Sequence, residues 1–178
     1  MKISAGKFKK RKLYSVKGKT TRPTTAFVRE MIFSVVGNVD NFRVLDIFAG
    51  SGSLGFEALS RGAKYVEFID FSSKSIKTIL KNMELLNCST DIRVHKKRIN
   101  AALKKINNKI DLVLMDPPYN KNLVNKTLNS IKNKNILKED SIIAIEHSID
   151  ENINKEWEKS LFYQNRVGNT NISILRCN

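Results

Sequence analysis
Apolar residues in this chain fall into short unbroken runs, separated by stretches with a helical repeat. Val44-Leu45-Asp46-Ile47-Phe48, Tyr65 to Ile69, Ile92-Arg93-Val94, Ile110 to Met115 and Ile142 to Ile145 read as buried strands. Between them, Ser53 to Arg61, Ser72 to Asn87, roughly Asn100 to Ile106, and Leu123 to Ile131 read as helices. In the second of these, Ile76, Ile79, Leu80, Met83 and Leu86 are expected to face inward. Ahead of the first strand, Thr24 can cap a helix that follows Pro23. Phe27, Val28, Met31, Ile32 and Val35 recur along it, and Gly37 ends it. Near the C-terminus, Leu161 to Val167 and Asn171 to Arg176 alternate in polarity around Gly168-Asn169-Thr170, which predicts a hairpin. Strands alternating with helices, then a hairpin, predict a doubly wound, Rossmann-like α/β sheet, mostly parallel with an antiparallel C-terminal edge.

Residues 2–22 break this rhythm. They alternate loosely around Lys9-Lys10, contain Gly6 and Gly18, and predict a short β-ribbon or arm, with disorder as the alternative. The expected division is an arm over 1–22 and a sheet domain over 23–178. Charge sharpens the picture. The chain carries 32 Lys and Arg against 17 Asp and Glu, a net +15. Nine of those cations lie in residues 1–22, and no acid does. A balance so basic and so concentrated points to a polyanion, most often nucleic acid.

Cys88 and Cys177 match no metal-ligand spacing, so no metal is expected. The basic N-terminus lacks the apolar segment of a secretory signal, and no run reaches the length of a membrane span. A cytoplasmic protein, acting as a monomer and away from membranes, is expected.

The first strand leads into Asp46-Ile47-Phe48-Ala49-Gly50-Ser51-Gly52. Gly50 and Gly52 let the backbone bend tightly and let a ligand approach. Asp70 ends the second strand, where a carboxylate can hold both hydroxyls of a ribose. Asn100 follows the third strand and can bond an adenine edge. Gly50-Ser51-Gly52-Ser53-Leu54-Gly55 also fits the dinucleotide pattern G-x-G-x-x-G, which alone is weak. Asp46 favours S-adenosylmethionine instead, because a carboxylate on the strand itself can attract a cationic sulfonium or amine. Expected cofactor contacts are Asp46, Phe48, Ala49, Gly50, Gly52, Asp70, Phe71, Asn100 and Asp116.

Asp116-Pro117-Pro118-Tyr119 ends the fourth strand. The prolines stiffen the turn and carry no N–H. The Asp116 carboxylate and the Pro117 carbonyl become acceptors on a rigid frame, and Tyr119 adds a flat face. Such a site suits a nucleobase with an exocyclic amine. The same residues would also make a plain rigid turn. Carboxylates at the ends of strands one, two and four, however, form a site pattern. Neither His95 nor His147 lies in a metal spacing. His147 follows strand five and could reach a substrate, although packing or solvent roles suit both better. Trp157 reads as a packing residue under the hairpin.

At these residues the chain resembles class I methyltransferases of the RsmD type, the bacterial 16S rRNA guanine-N2 methyltransferases. The resemblance rests on Asp46 to Gly52, Leu54-Gly55, Glu57-Ala58-Leu59-Ser60-Arg61-Gly62 and Asp116 to Tyr119. It extends to Ile3 to Lys7, Lys10 to Leu13, Arg22-Pro23-Thr24 and Val28 to Phe33. The chain departs from the family pattern at Ala5, Lys10, Ser72 and Asn100. The resemblance implies S-adenosylmethionine as donor and a guanine of small-subunit rRNA, in an assembled particle, as acceptor. Catalytic roles are expected for Asp116, Pro117, Pro118 and Tyr119. RNA contacts are expected from Lys7, Lys9, Lys10, Arg11, Lys12, Arg22, Thr24 and Arg29. The competing readings are an adenine-N6 methyltransferase, a non-catalytic RNA-binding protein on the same fold, and a nicotinamide oxidoreductase.

Overall fold
The computed structural model describes residues 1–16 and 25–177. Seven strands form one sheet: β1 Arg43–Ile47, β2 Tyr65–Asp70, β3 Ile92–Lys96, β4 Ile110–Met115, β5 Leu137–Ser148, β6 Leu161–Val167 and β7 Thr170–Cys177. Their order is β3-β2-β1-β4-β5-β7-β6. Strands β1 to β5 pair in parallel, while β7 runs antiparallel to both β5 and β6. The chain winds outward from β1 to β3, then crosses back to lay β4 on the other side of β1. That reversal opens a crevice at the carboxyl ends of β1 and β4, where open α/β sheets bind ligands.

The central strands read as continuous apolar runs because helices cover both faces. On one face α1 Ala26–Val36, α2 Ser53–Ser60 and α3 Ser73–Leu86 pack with Val44, Val66, Phe68 and Leu114. On the other, α4 Ile99–Leu103, α5 Leu123–Lys134 and α6 Lys155–Glu158 pack with Leu45, Ile47, Val113 and Met115. Alternate residues of one strand thus feed two separate cores.

Several elements differ from the expectation. The cap of α1 is Thr25, whose hydroxyl accepts from the Val28 N–H at 3.2 Å, while Thr24 lies outside the described residues. The buried stripe of α3 is Ser75, Thr78, Ile79, Asn82 and Leu86, with Leu80 turned outward. On that stripe the Thr78 hydroxyl donates to Lys74 O at 2.8 Å and the Asn82 carboxamide bonds the ribbon, which hydrophobicity cannot register. Helix α4 ends at Leu103, earlier than periodicity implies. Helix α5 runs on to Lys134, where Lys132 and Lys134 suit the negative helix end and Asn135 caps it in left-handed geometry. Strand β5 starts at Leu137, which pairs with Ile110, and a register shift across Lys138 to Asp140 separates that pair from the apolar run. The single-turn α6 carries no periodic signal.

The N-terminal segment is a ribbon. Lys2 bridges Lys12, the Ile3 N–H donates to Arg11 O at 3.0 Å, and the Leu13 N–H donates to Met1 O at 2.7 Å. Ile3 and Leu13 enter the same core as α1 and α2. Gly6 has φ 75°, and a Cβ there would meet Ser60 O at 1.7 Å, so only glycine lets the ribbon lie against the end of α2.

Candidate active site
The turn after β1 is held by its own backbone and by β2. The Ala49 N–H donates to Ile69 O at 3.1 Å and the Gly52 N–H to Ala49 O at 2.7 Å. Phe48 sits at φ 63°, a left-handed conformation unusual for a bulky residue and typical of binding loops. Gly52 has φ 79° and starts α2; a Cβ there would press into the Phe56 ring at 2.7 Å. Above Gly50 the space is open: an added Cβ would meet only Phe48 O, at 3.9 Å. The loop is therefore closed below and accessible above.

Two carboxylates shape it. Asp46 is 2% exposed, and its Oδ2 accepts the Gly55 N–H at 2.9 Å, in the first turn of α2. Burial pushes its carboxyl up to about 7; neighbouring Asp70 adds to the rise, and the Gly55 N–H opposes it. Its charge is disfavoured until a cation comes near. Asp70 spreads across two loops: Oδ2 accepts the Gly50 N–H at 2.9 Å and Oδ1 the Ser72 N–H at 2.8 Å. Each oxygen retains a lone pair for a further donor. Ser72, where the family pattern has an acid, caps α3 through its hydroxyl. Phe71 follows with 66% of its surface exposed, and Asn100 is exposed on the first turn of α4. The edge therefore offers an open glycine turn, a buried acid, an acid beside it, a bare ring and a carboxamide. That set fits the ribose, adenine and cationic end of S-adenosylmethionine.

Met115, the residue before Asp116, pairs with Ile47 of β1. This register sets Asp116-Pro117-Pro118-Tyr119 across the crevice from the glycine turn. Pro117 is buried, Asp116 half-buried, and Pro118 and Tyr119 exposed. The Tyr119 hydroxyl is tethered to Thr170 at 2.9 Å and to Glu146 at 3.2 Å, on β7 and β5. The ring is thereby fixed at its tip. Burial raises its pKa to about 12, so it stays protonated. Glu146 and Thr170 were not anticipated; pairing of β5 with β7 brings them to Tyr119, and no local signal marks them.

Lys7, Lys9, Lys10, Arg11 and Lys12 lie exposed on the ribbon. Arg22 and Thr24 fall outside the described residues. Arg29 is buried instead of lying on the surface: it is 1% exposed, with Nε 3.4 Å from Glu57 Oε2 and Nη2 donating to Lys2 O at 2.7 Å. Helical phase turns it inward, where it braces the ribbon. Glu57 is the other missed residue. Its place in the Glu57-to-Gly62 motif was the available signal, and the structure buries it with the other seven residues of α2. Its carboxylate accepts the Ser4 N–H at 2.9 Å, the Ser4 hydroxyl at 2.7 Å, the Ala5 N–H at 3.1 Å and Arg61 Nε at 2.9 Å. Burial alone would raise its pKa, but Ser4 and Arg61 together hold it below the usual carboxylate range.

The histidines pack. His95 pairs with Glu67 at 2.7 Å, and His147 lies in the sheet 2.9 Å from Ser173 Oγ, kept neutral by burial. Trp157 is buried in the α5 core. Among the described residues no helix is long and apolar enough to cross a membrane.

The model of a family described as conserved hypothetical protein 95 matches residues 1–176. Ribosomal RNA small subunit methyltransferase D of Buchnera aphidicola is 36% identical over 171 residues, which are 94% of this chain and 87% of that protein. The Haemophilus influenzae protein of the same name is 35% identical over 154 residues, 84% of this chain and 80% of that one. A solved Escherichia coli structure, the methyltransferase candidate yhhF, superposes with a TM-score of 0.86 at 29% identity, covering 99% of this chain and 97% of that one. Fold, glycine turn, strand-four motif and these matches agree: the chain belongs to the conserved hypothetical protein 95 family, the RsmD-type methyltransferases.

Proposed function
We propose that the protein methylates the exocyclic N2 amine of a guanine in small-subunit rRNA, with S-adenosylmethionine as donor. The observation that carries this reading is the register of β1 and β4. It brings the Asp116-to-Tyr119 turn, with the Tyr119 ring tethered at its tip, to the same sheet edge as the open glycine turn.

S-adenosylmethionine supplies an electrophilic methyl group on a sulfonium. Phe48, Ala49, Gly50 and Gly52 would cradle it. Asp46 would face its cationic end, Asp70 its ribose, and Phe71 and Asn100 its adenine. The lone pair of an aromatic amine is delocalised and must be turned out of the ring plane. Asp116 and the Pro117 carbonyl accept its two N–H groups, which draws the nitrogen towards tetrahedral geometry and aims the lone pair. Asp116 also stabilises the positive charge that develops on nitrogen. Pro118 keeps the frame stiff, and Tyr119 stacks on the base, an interaction worth ~1–3 kcal/mol. The target base leaves its stack to enter.

Lys7, Lys9, Lys10, Arg11 and Lys12, with Arg22 and Thr24, would hold rRNA phosphates. The enzyme would act in the cytoplasm as a monomer and without a metal ion.

The deciding experiment uses small ribosomal subunits from a strain lacking the gene, incubated with labelled S-adenosylmethionine. Nucleoside mass spectrometry should find N2-methylguanosine. N6-methyladenosine would replace this reading with the adenine one, and no transfer would leave a binding protein. Neutralising Lys9, Lys10, Arg11 and Lys12 together should weaken RNA binding and lower its salt slope by about 0.7–0.9 per lost phosphate contact.

A further inference from the structure
Tyr14 follows the buried Leu13 on the ribbon, and its side chain is 55% exposed. Its backbone is held unusually firmly. Asn82 of α3 is completely buried, and its carboxamide takes both backbone groups of Tyr14. Oδ1 accepts the Tyr14 N–H at 2.8 Å, and Nδ2 donates to Tyr14 O at 3.1 Å. The same Nδ2 donates to Ser51 O, in the glycine turn, at 3.0 Å. One buried side chain therefore fixes an exposed aromatic residue to the loop of the donor site.

A buried carboxamide is costly unless satisfied, and Asn82 is satisfied by these bonds. Removing it would leave three backbone groups without partners. The core gains nothing from it that a leucine would not supply, so its contribution is position. A single exposed ring is ordinary on a protein surface. An exposed ring on an immobilised backbone, beside the donor loop, is not, because such a ring loses little freedom when something stacks on it.

We propose that Tyr14 is a stacking platform for an unpaired nucleobase of the RNA, next to the nucleotide that enters the catalytic pocket. Charge selects this partner. Lys9, Lys10, Arg11 and Lys12 are exposed on the same ribbon, and cations interleaved with an aromatic face are the chemistry of single-stranded nucleic acid binding. Location selects the base. Extruding a target nucleotide leaves its neighbours unstacked, and Asn82 ties Tyr14 to Ser51, in the donor loop beside which the target would arrive. Tyr119 faces the target, and Tyr14 takes a neighbour. The inference rests on the rRNA reading above.

The test measures binding and methylation of unmodified small ribosomal subunits by the wild type, Tyr14→Ala and Tyr14→Phe. Tyr14→Ala should weaken binding and raise KM roughly fivefold or more, at little cost in kcat. Tyr14→Phe should stay within about twofold of the wild type, since stacking needs the ring and not the hydroxyl. Melting temperature and S-adenosylmethionine affinity should not move in either variant. A Tyr14→Trp variant should gain fluorescence that is quenched on adding subunits, above the signal from Trp157. Wild-type binding by Tyr14→Ala overturns the proposal. So does a loss in Tyr14→Phe as large as in Tyr14→Ala. If the wild type itself transfers no methyl group to these subunits, it is the rRNA reading that fails.

Discussion

Replacing Glu57 with alanine should detach the ribbon from the domain. The carboxylate holds Ser4 and Ala5 of the ribbon, Arg61 of the next turn, and the buried Arg29. In Glu57→Ala the buried Arg29 guanidinium loses the carboxylate that lies 3.4 Å from its Nε. Breaking one side of a buried pair costs about 3–5 kcal/mol. The freed Ser4 and Ala5 amides add little, because the ribbon can lift and let water reach them. For a domain of this size, ~2–4 °C per kcal/mol gives a fall in melting temperature of roughly 6–20 °C. Hydrogen exchange should show the second effect, a loss of protection at the ribbon amides of Ile3, Lys10 and Leu13. Because Glu57 titrates below the usual carboxylate range, its stabilisation is complete above that range and is lost as pH falls through its folded value. The gap between wild type and variant should therefore close towards acid pH. A fall of less than about 2 °C, with the ribbon amides still protected, would refute the account of Glu57 as the anchor.

Asp116→Ala should lower methyl transfer by at least ~10²–10³-fold, as for loss of one preorganised electrostatic group, with S-adenosylmethionine affinity within about tenfold; near-normal turnover would remove Asp116 from the mechanism. Asp70→Ala should weaken S-adenosylmethionine by about 1–3 kcal/mol in calorimetry, losing a charged acceptor and the clamp on Gly50; equal affinity would place the ribose elsewhere. Asp46, raised to about 7, keeps a proton in the folded state that the unfolded chain releases above the ordinary carboxylate range. Stability should fall by ~1.4 kcal/mol per pH unit between about pH 5 and 7 from this group, and urea titrations of Asp46→Asn should lack that component; an identical slope would clear Asp46.

The sheet and its crevice were legible in the sequence because a parallel sheet covered on both faces leaves unbroken apolar runs, and strand ends fall where those runs stop. Asp46, Asp70 and Asp116 stand out for the same reason, as charges at the ends of apolar strands. Residues whose work depends on distant contacts were not legible. Arg29 reads as a surface cation beside a helix start, yet helical phase places it against Glu57. Glu146 and Thr170 meet Tyr119 only through the pairing of β5 with β7. Asn82 sits where a leucine would satisfy the periodicity of α3, and its partners come 68 and 31 residues away in sequence. Polar residues on buried stripes are the positions where periodicity falls silent and tertiary bonds decide.

The placement of α2 explains how the donor loop and the basic ribbon are held in one fixed arrangement. Its first turn is the end of the glycine turn, held by Asp46 at Gly55. Its second half carries Glu57 and Ser60, which hold the ribbon at Ser4, Ala5, Lys7 and Phe8. Eight residues therefore join the donor loop to the basic ribbon. All eight are buried, so the helix cannot rotate or slide without breaking the core on both sides. Asn82 adds a second tie between the same two parts, from Tyr14 to Ser51. A rigid link of this kind would fix the distance between phosphates held on the ribbon and a methyl group at the donor loop. On the proposed function, the ribbon would then contribute register as well as affinity, and the choice of nucleotide would follow from where the RNA backbone is held relative to Asp116.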